Sequence, residues 1–251
     1  MKWLYSKVEN IILAIGFLTR LPIPSNLNYS SKKLADGLFF APIVGLLIGA
    51  LLVLIYILTS LVFPNYIVAA LIIVFYVYIT GGLHIDGLGD LGDGLFSGKS
   101  NDSFYEVMKD SRLGTGGFLS IIFVLFLDYL FLLETMNWKV LLFLPVAGRL
   151  VMLFGAVIGY YPKVYEGSGK LFIDGRSFKN SWWMLLVILA FFFVLFNWQG
   201  LLIFFSLLVL TFILVRIWSK RMDGITGDML GALVEYSQLA FLLLLILYQV
   251  V

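Results

Sequence analysis

The chain has 251 residues, 61% of them hydrophobic and only 13% charged, with a formal net charge of +2. A soluble domain carries about 25% charged residues, so this composition excludes a chain whose whole surface faces water and makes the lipid bilayer its solvent. The small net charge, with no basic block or stripe, excludes a nucleic-acid partner, and the absence of cysteine excludes disulfides, thiolate metal sites and cysteine nucleophiles.

At the N-terminus, Lys2 and Lys7 precede a short apolar run, Ile11 to Leu18, that superficially resembles a signal peptide. No small-residue cleavage site follows, and Pro22 and Pro24 end the run. It is far short of the roughly 20 residues a spanning helix needs, so it is predicted to be a short helix that lies at the interface or re-enters from it.

Seven longer apolar stretches follow, at about 37–60, 65–81, 117–134, 139–160, 181–197, 200–218 and 231–251. They are apolar on all sides, as buried or lipid-facing helices are. With no internal repeat and no segment able to fold alone in water, the expectation is an all-α, polytopic membrane helix bundle of about seven transmembrane helices. Residues 1–251 are read as a single membrane domain. Fifteen of the seventeen Lys and Arg residues fall in segments 1–36, 82–116, 161–180 and 216–230, which would share one side. The positive-inside rule then places the N-terminus and these segments in the cytoplasm and the protein in the cell membrane.

Between the second and third spans lies Gly81-Gly82-Leu83-His84-Ile85-Asp86-Gly87-Leu88-Gly89-Asp90-Leu91-Gly92-Asp93-Gly94. Asp86, Asp90 and Asp93 stand at i, i+4 and i+7, which aligns three carboxylates along one helical face. Their repulsion, on a segment already weakened by glycine, calls for an offsetting cation. Mg2+, which takes hard oxygen ligands and keeps positions open for substrate phosphates, suits it. The literal GxGxxG at Gly87–Gly92 fails as a dinucleotide fingerprint because no strand–helix–strand unit surrounds it. An EF-hand is excluded by the absence of alternating ligands and a closing glutamate, and the bland reading is a solvated acidic loop. His84, the only histidine, is open to ligand, base and structural roles.

Next, Ser103-Phe104-Tyr105-Glu106 fits a capping box for a short cytoplasmic helix with Phe104, Val107 and Met108 on one face. It leads into Lys109-Asp110-Ser111-Arg112-Leu113-Gly114-Thr115, just before the third span. The N–H groups opening that span, together with Arg112, are expected to form a phosphate site. Before the last span, Thr226 and Asp228 either cap the helix or, for Asp228, add a metal ligand. Within the spans, Asp128 and Arg149 are candidates for a structural pair, and Glu235 is near enough to the cytoplasmic surface to join the site.

At these residues the chain resembles the cobalamin synthase family, adenosylcobinamide-GDP ribazoletransferase. The resemblance runs from Phe17-Leu18-Thr19-Arg20-Leu21-Pro22 through Pro42-Ile43-Val44-Gly45 to Thr80–Leu88 with Asp90 and Asp93. It continues at Met108–Thr115, at Arg149 and at Thr226-Gly227-Asp228. Asp223 departs from the glycine usual in the family. The resemblance implies a magnesium-dependent transfer in which a hydroxyl of α-ribazole, or of its 5′-phosphate, attacks the activated phosphate of adenosylcobinamide-GDP and GMP leaves. It further implies a catalytic set of His84, Asp86, Asp90 and Asp93 and metal ligation by Asp86, Asp90, Asp93 and Asp228. Substrate would be bound by Lys109, Asp110, Ser111, Arg112, Thr115, Arg149 and Thr226. The expected partners are those two small molecules and the lipid bilayer; assembly as a homo-oligomer is left open. Two other readings are a CDP-alcohol phosphotransferase-like enzyme, whose DGxxAR continuation is missing, and an ion-coupled transporter using Asp128, Arg149 and Glu235.

Overall fold

A computed structural model describes residues 2–100, 102–167, 169–175 and 182–250, with side chains from residue 6 onward. Arg176 and Lys179, counted above among the basic residues, lie outside this range, as do residues 181 and 251 at the edges of two expected spans. The described residues form the expected all-helical membrane bundle. In chain order the helices are α1 (Lys2–Leu18), α2 (Ser31–Leu38), α3 (Ala41–Ser60), α4 (Asn65–Thr80), α5 (Leu83–Phe96) and α6 (Asp102–Met108). They continue with α7 (Thr115–Thr135), α8 (Trp138–Ile158), α9 (Lys170–Ile173), α10 (Trp182–Met222) and α11 (Gly227–Leu247). Five of them, α3, α7, α8, α10 and α11, are long and apolar enough to cross a membrane, and α4 with α5 passes the same test only when the bent pair is taken together.

The first helix corrects the sequence reading. It has 17 residues, not a short run from Ile11, and it is tied to α2 by the ion pair of Glu9 with Lys33 at 2.7 Å. The charges of Lys2, Lys7 and Glu9 hid this helix from a reading based on apolar run length. A second correction follows at residues 37–40. Ser30 caps α2 by accepting from the Lys33 N–H, and α3 starts only at Ala41, with Pro42 in its first turn.

Small residues set the centre of the bundle. Gly45 and Gly49 of α3 lie one turn apart and press on the α8 backbone. A Cβ on Gly45 would come within 2.8 Å of the Pro145 carbonyl oxygen, and one on Gly49 would overlap that of Leu142. Such close backbone approach is how membrane helices gain packing where no hydrophobic drive between them exists. In α10 the chain turns at Asn197 (φ 54°, ψ −145°). Twelve residues of straight helix would separate Phe192 from Phe204 by about 18 Å, yet their rings stand 5.7 Å apart. The expected break between the fifth and sixth apolar stretches is therefore a reversal.

The feature that positions the site is the junction of α4 and α5. Gly81 and Gly82 both take left-handed conformations (φ 68° and 71°), open to glycine at no steric cost, and the helices meet at 91°. At 14 residues, about 21 Å, α5 cannot cross the roughly 30 Å hydrocarbon core. Instead it runs across one end of the bundle, over the first turns of α7 and α11. A Cβ at Gly82 would meet no atom within 4 Å, so Gly82→Ala isolates the backbone term. It is expected to cost about 1 kcal/mol and Gly82→Asn less, since Asn tolerates positive φ; thermal unfolding in detergent measures the difference.

Candidate active site

Glycine makes α5 possible as a site rather than merely weakening it. A Cβ at Gly87 would lie 2.5 Å from the Asp228 carbonyl oxygen, and one at Gly92 would lie 2.9 Å from that of Gly116. The missing side chains let α5 lie directly on the backbones of α11 and α7. Gly87, Leu88, Gly89, Leu91, Gly92 and Gly94 are buried, whereas Asp86 is exposed and Asp90 and Asp93 are half-buried. The three carboxylates thus share one face of α5 that is less buried than the glycine face packed on α7 and α11, as their spacing predicts.

Asp93 is already engaged. Its two oxygens accept from the Gly114 N–H at 2.7 Å and the Gly117 N–H at 2.8 Å, so it caps the start of α7. Two of the N–H groups expected to receive a substrate phosphate are therefore occupied by this carboxylate. Nor does Arg112 face the acids of α5: it grips Asp110, with Nε 3.0 Å from Oδ1 and a terminal nitrogen 2.7 Å from Oδ2. Hydrogen bonding to Arg112 holds the Asp110 carboxyl down at about 2. Lys109, Asp110, Ser111, Arg112 and Thr115 are all exposed along one connection. The Ser103 capping box does not form: α6 begins at Asp102, and the Ser103 hydroxyl donates to the Ser100 carbonyl.

Asp228 joins the carboxylates of α5 from the first turn of α11. Thr226 is the cap there, accepting from the Met229 N–H at 3.3 Å, and is fully buried. That leaves the Asp228 carboxylate to accept from the Tyr165 hydroxyl at 3.1 Å. Asp223, where glycine was expected, takes φ 54°, a left-handed conformation that explains glycine's fitness there. Tyr165 escaped the sequence reading, because an aromatic in a basic loop gives no spacing signal. It nevertheless connects two expected residues, for the Lys109 ammonium stands 4.6 Å from its ring centroid. Burial, with the charges of Asp86, Asp228 and Asp93 added, pushes the Asp90 carboxyl up to about 7.

This donor set suits a hard divalent cation. Among the described residues no Lys or Arg forms an ion pair with Asp86, Asp90, Asp93 or Asp228. No three acidic or histidine side chains close around one ion position either. Magnesium does not require that: it is commonly held by one or two carboxylates, with substrate phosphates and waters as the remaining ligands.

Deeper in the bundle lies a buried polar network. The Tyr76 hydroxyl donates to Glu235 Oε1 at 2.9 Å and accepts from Gln238 Nε2 at 2.7 Å. Arg149, fully buried, reaches that hydroxyl at 3.4 Å and the Pro145 carbonyl at 3.5 Å. Arg149 thus turns to Tyr76 and Pro145 and makes no hydrogen bond or ion pair with Asp128 among the described residues. His84 Nδ1 stands 3.9 Å from Glu235 Oε1. Among the described residues, His84 is thus the link between Glu235 and the site.

Two hollows flank the start of α5. An open groove of about 660 Å³ holds Arg20 and Asp86 among its lining residues; on the other side a cavity of about 300 Å³ holds His84 and Asp228. Phe17 and Leu83 line both. Arg20, whose side chain stands over the Tyr78 ring, is a second residue of the site that spacing alone did not single out.

The family described as Cobalamin-5-phosphate synthase matches residues 10–246. An adenosylcobinamide-GDP ribazoletransferase of Acetivibrio thermocellus is 38% identical over 246 residues, covering 96% of this chain and 99% of its own. Proteins of the same name from Clostridium acetobutylicum and Caldanaerobacter subterraneus subsp. tengcongensis are each 36% identical. The first covers 94% of both chains, and the second covers 93% of this chain and 96% of its own. No solved structure matches the chain.

Proposed function

The chain belongs to the cobalamin-5-phosphate synthase family, and on that premise we propose that it joins adenosylcobinamide-GDP to α-ribazole, or to α-ribazole 5′-phosphate, with magnesium, at the cytoplasmic face of the cell membrane. The acceptor hydroxyl oxygen forms a bond to the corrin-linked phosphorus and gives up its proton to solvent, the bond from that phosphorus to the GMP oxygen breaks, and GMP leaves. The observation that carries this reading is the gathering of four carboxylates, without a Lys or Arg ion partner among the described residues, between two hollows at one end of the bundle. One or two of Asp86, Asp90 and Asp228 would hold magnesium, which when bound offsets the charge of the pyrophosphate and of the departing GMP. Asp93 fixes α7 against α5, Arg20 places a cation in the donor's groove, and Tyr165 orients Asp228. Arg112 and Lys109 add positive charge on the exposed rim where a nucleotide arrives.

The direct test uses purified protein in detergent, adenosylcobinamide-GDP, α-ribazole or its phosphate, and magnesium, with GMP release followed. Release is expected only with all components; release that ignores the acceptor would sink the proposal. Orientation is tested by single cysteines, which the cysteine-free chain permits. Placed at the exposed Ser97 and Lys220 they should be shielded from an impermeant thiol reagent in intact cells, whereas one at the exposed Lys139 should react. Labelling of Ser97 and Lys220 on opposite sides would rule out a shared cytoplasmic site.

A further inference from the structure

We infer that the 300 Å³ cavity behind α5 is the pocket for the fused aromatic base of the ribazole acceptor. The inference rests on the reaction proposed above and says where one of its substrates lies. Four observations combine. The cavity walls are mainly apolar, with Leu34, Leu38, Leu83 and Met152 among them, and its described lining includes no Lys or Arg, so nothing in it answers a phosphate. Asp228 on the wall would repel one. Its volume is at the lower end for small-ligand sites, which suits a two-ring heterocycle and excludes a corrin macrocycle. Finally, His84 lines the cavity but is 3% exposed with both ring nitrogens buried, so it presents no polar atom to the cavity and leaves the wall apolar there too.

The position also fits the chemistry. The groove holding Arg20 and Asp86 is the only one of the two hollows with a cation, so it takes the charged donor. Phe17 and Leu83 are shared by both hollows, and Asp228 stands on the cavity side of the carboxylates. An acceptor whose base fills the cavity therefore directs its sugar toward the acids, where the donor's phosphorus would be.

The test is a separation of Michaelis constants on the full chain in detergent. Ala35→Leu fills the cavity from its buried wall, and Leu171→Trp fills it from the rim, where Leu171 is half exposed and the core is left alone. Each is expected to raise KM for α-ribazole at least tenfold, with KM for adenosylcobinamide-GDP and kcat at saturating acceptor within twofold of the unmodified protein. If Ala35→Leu does not yield a monodisperse protein, Leu171→Trp decides. A rise in donor KM with acceptor KM unchanged would overturn the inference, as would two well-folded variants that leave acceptor KM unchanged. Neither of those results touches the proposed reaction. That fails only if the unmodified protein does not release GMP in response to α-ribazole.

Discussion

Asp86→Asn and Asp90→Asn should each lower kcat for GMP release by about a hundredfold to a thousandfold at saturating substrates, with the protein still inserted and folded. The size follows from what is removed. An amide oxygen keeps the shape of the side chain but loses the charge that holds a hard cation, and losing even one preorganised electrostatic contact at a reacting centre costs about 10²–10³-fold. Stability should be unchanged or should rise, because Asp86 is exposed and Asp90 carries the repulsion of three neighbouring carboxylates. Asp93→Asn separates from this pair. Its carboxylate accepts two backbone N–H bonds at the start of α7, and an amide can supply only one acceptor oxygen, so about 1 kcal/mol of stability should go as well. A chelator should abolish the reaction and added magnesium restore it. Near-normal turnover of Asp86→Asn or Asp90→Asn at low magnesium would remove both residues from any metal-holding role.

The second large effect is expected within the bundle. Arg149→Met should lower stability by about 3–5 kcal/mol, the cost of stranding a buried charge when its partner is removed. The group left without its nearby counter-charge is Glu235, 1% exposed, which is linked to Arg149 through the Tyr76 hydroxyl that both reach. Adding Glu235→Gln to Arg149→Met should recover a large part of the loss, because the carboxylate has gone together with its counter-charge. Thermal unfolding of the single and double variants in detergent gives the coupling. A third variant, Arg149→Lys, tests Arg149 as a substrate ligand. If Arg149→Lys alters a Michaelis constant while leaving the unfolding temperature unchanged, Arg149 contacts substrate and the network argument fails.

Sequence reading and structure agree where the governing interaction is local or compositional, and part where it is not. The 61% hydrophobic content required a membrane bundle, and the three-acid spacing placed Asp86, Asp90 and Asp93 on one face before any fold was known. The pairing of Arg112 with Asp110, two residues away, was equally local, yet the reading gave that guanidinium to a substrate phosphate; short-range partners compete first. α1 was shortened because its charged residues interrupt the apolar run. α9 was missed because four residues carry no period.

The sequence by itself therefore determined the solvent, the helical class, the acidic face and the family resemblance, since each depends on residue types and on spacings within one segment. Only the tertiary structure decided which segments meet. It spent Asp93 on capping α7 and freed Asp228 by giving the cap of α11 to Thr226. It brought Tyr165 and Arg20 to the acids and buried His84 between Glu235 and a cavity. These outcomes turn on contacts between residues up to 162 positions apart, as between Tyr76 and Gln238. Helices that are apolar on every side give no stripe from which to read their neighbours. Their arrangement is set by where small residues let backbones touch and where buried polar groups must find partners.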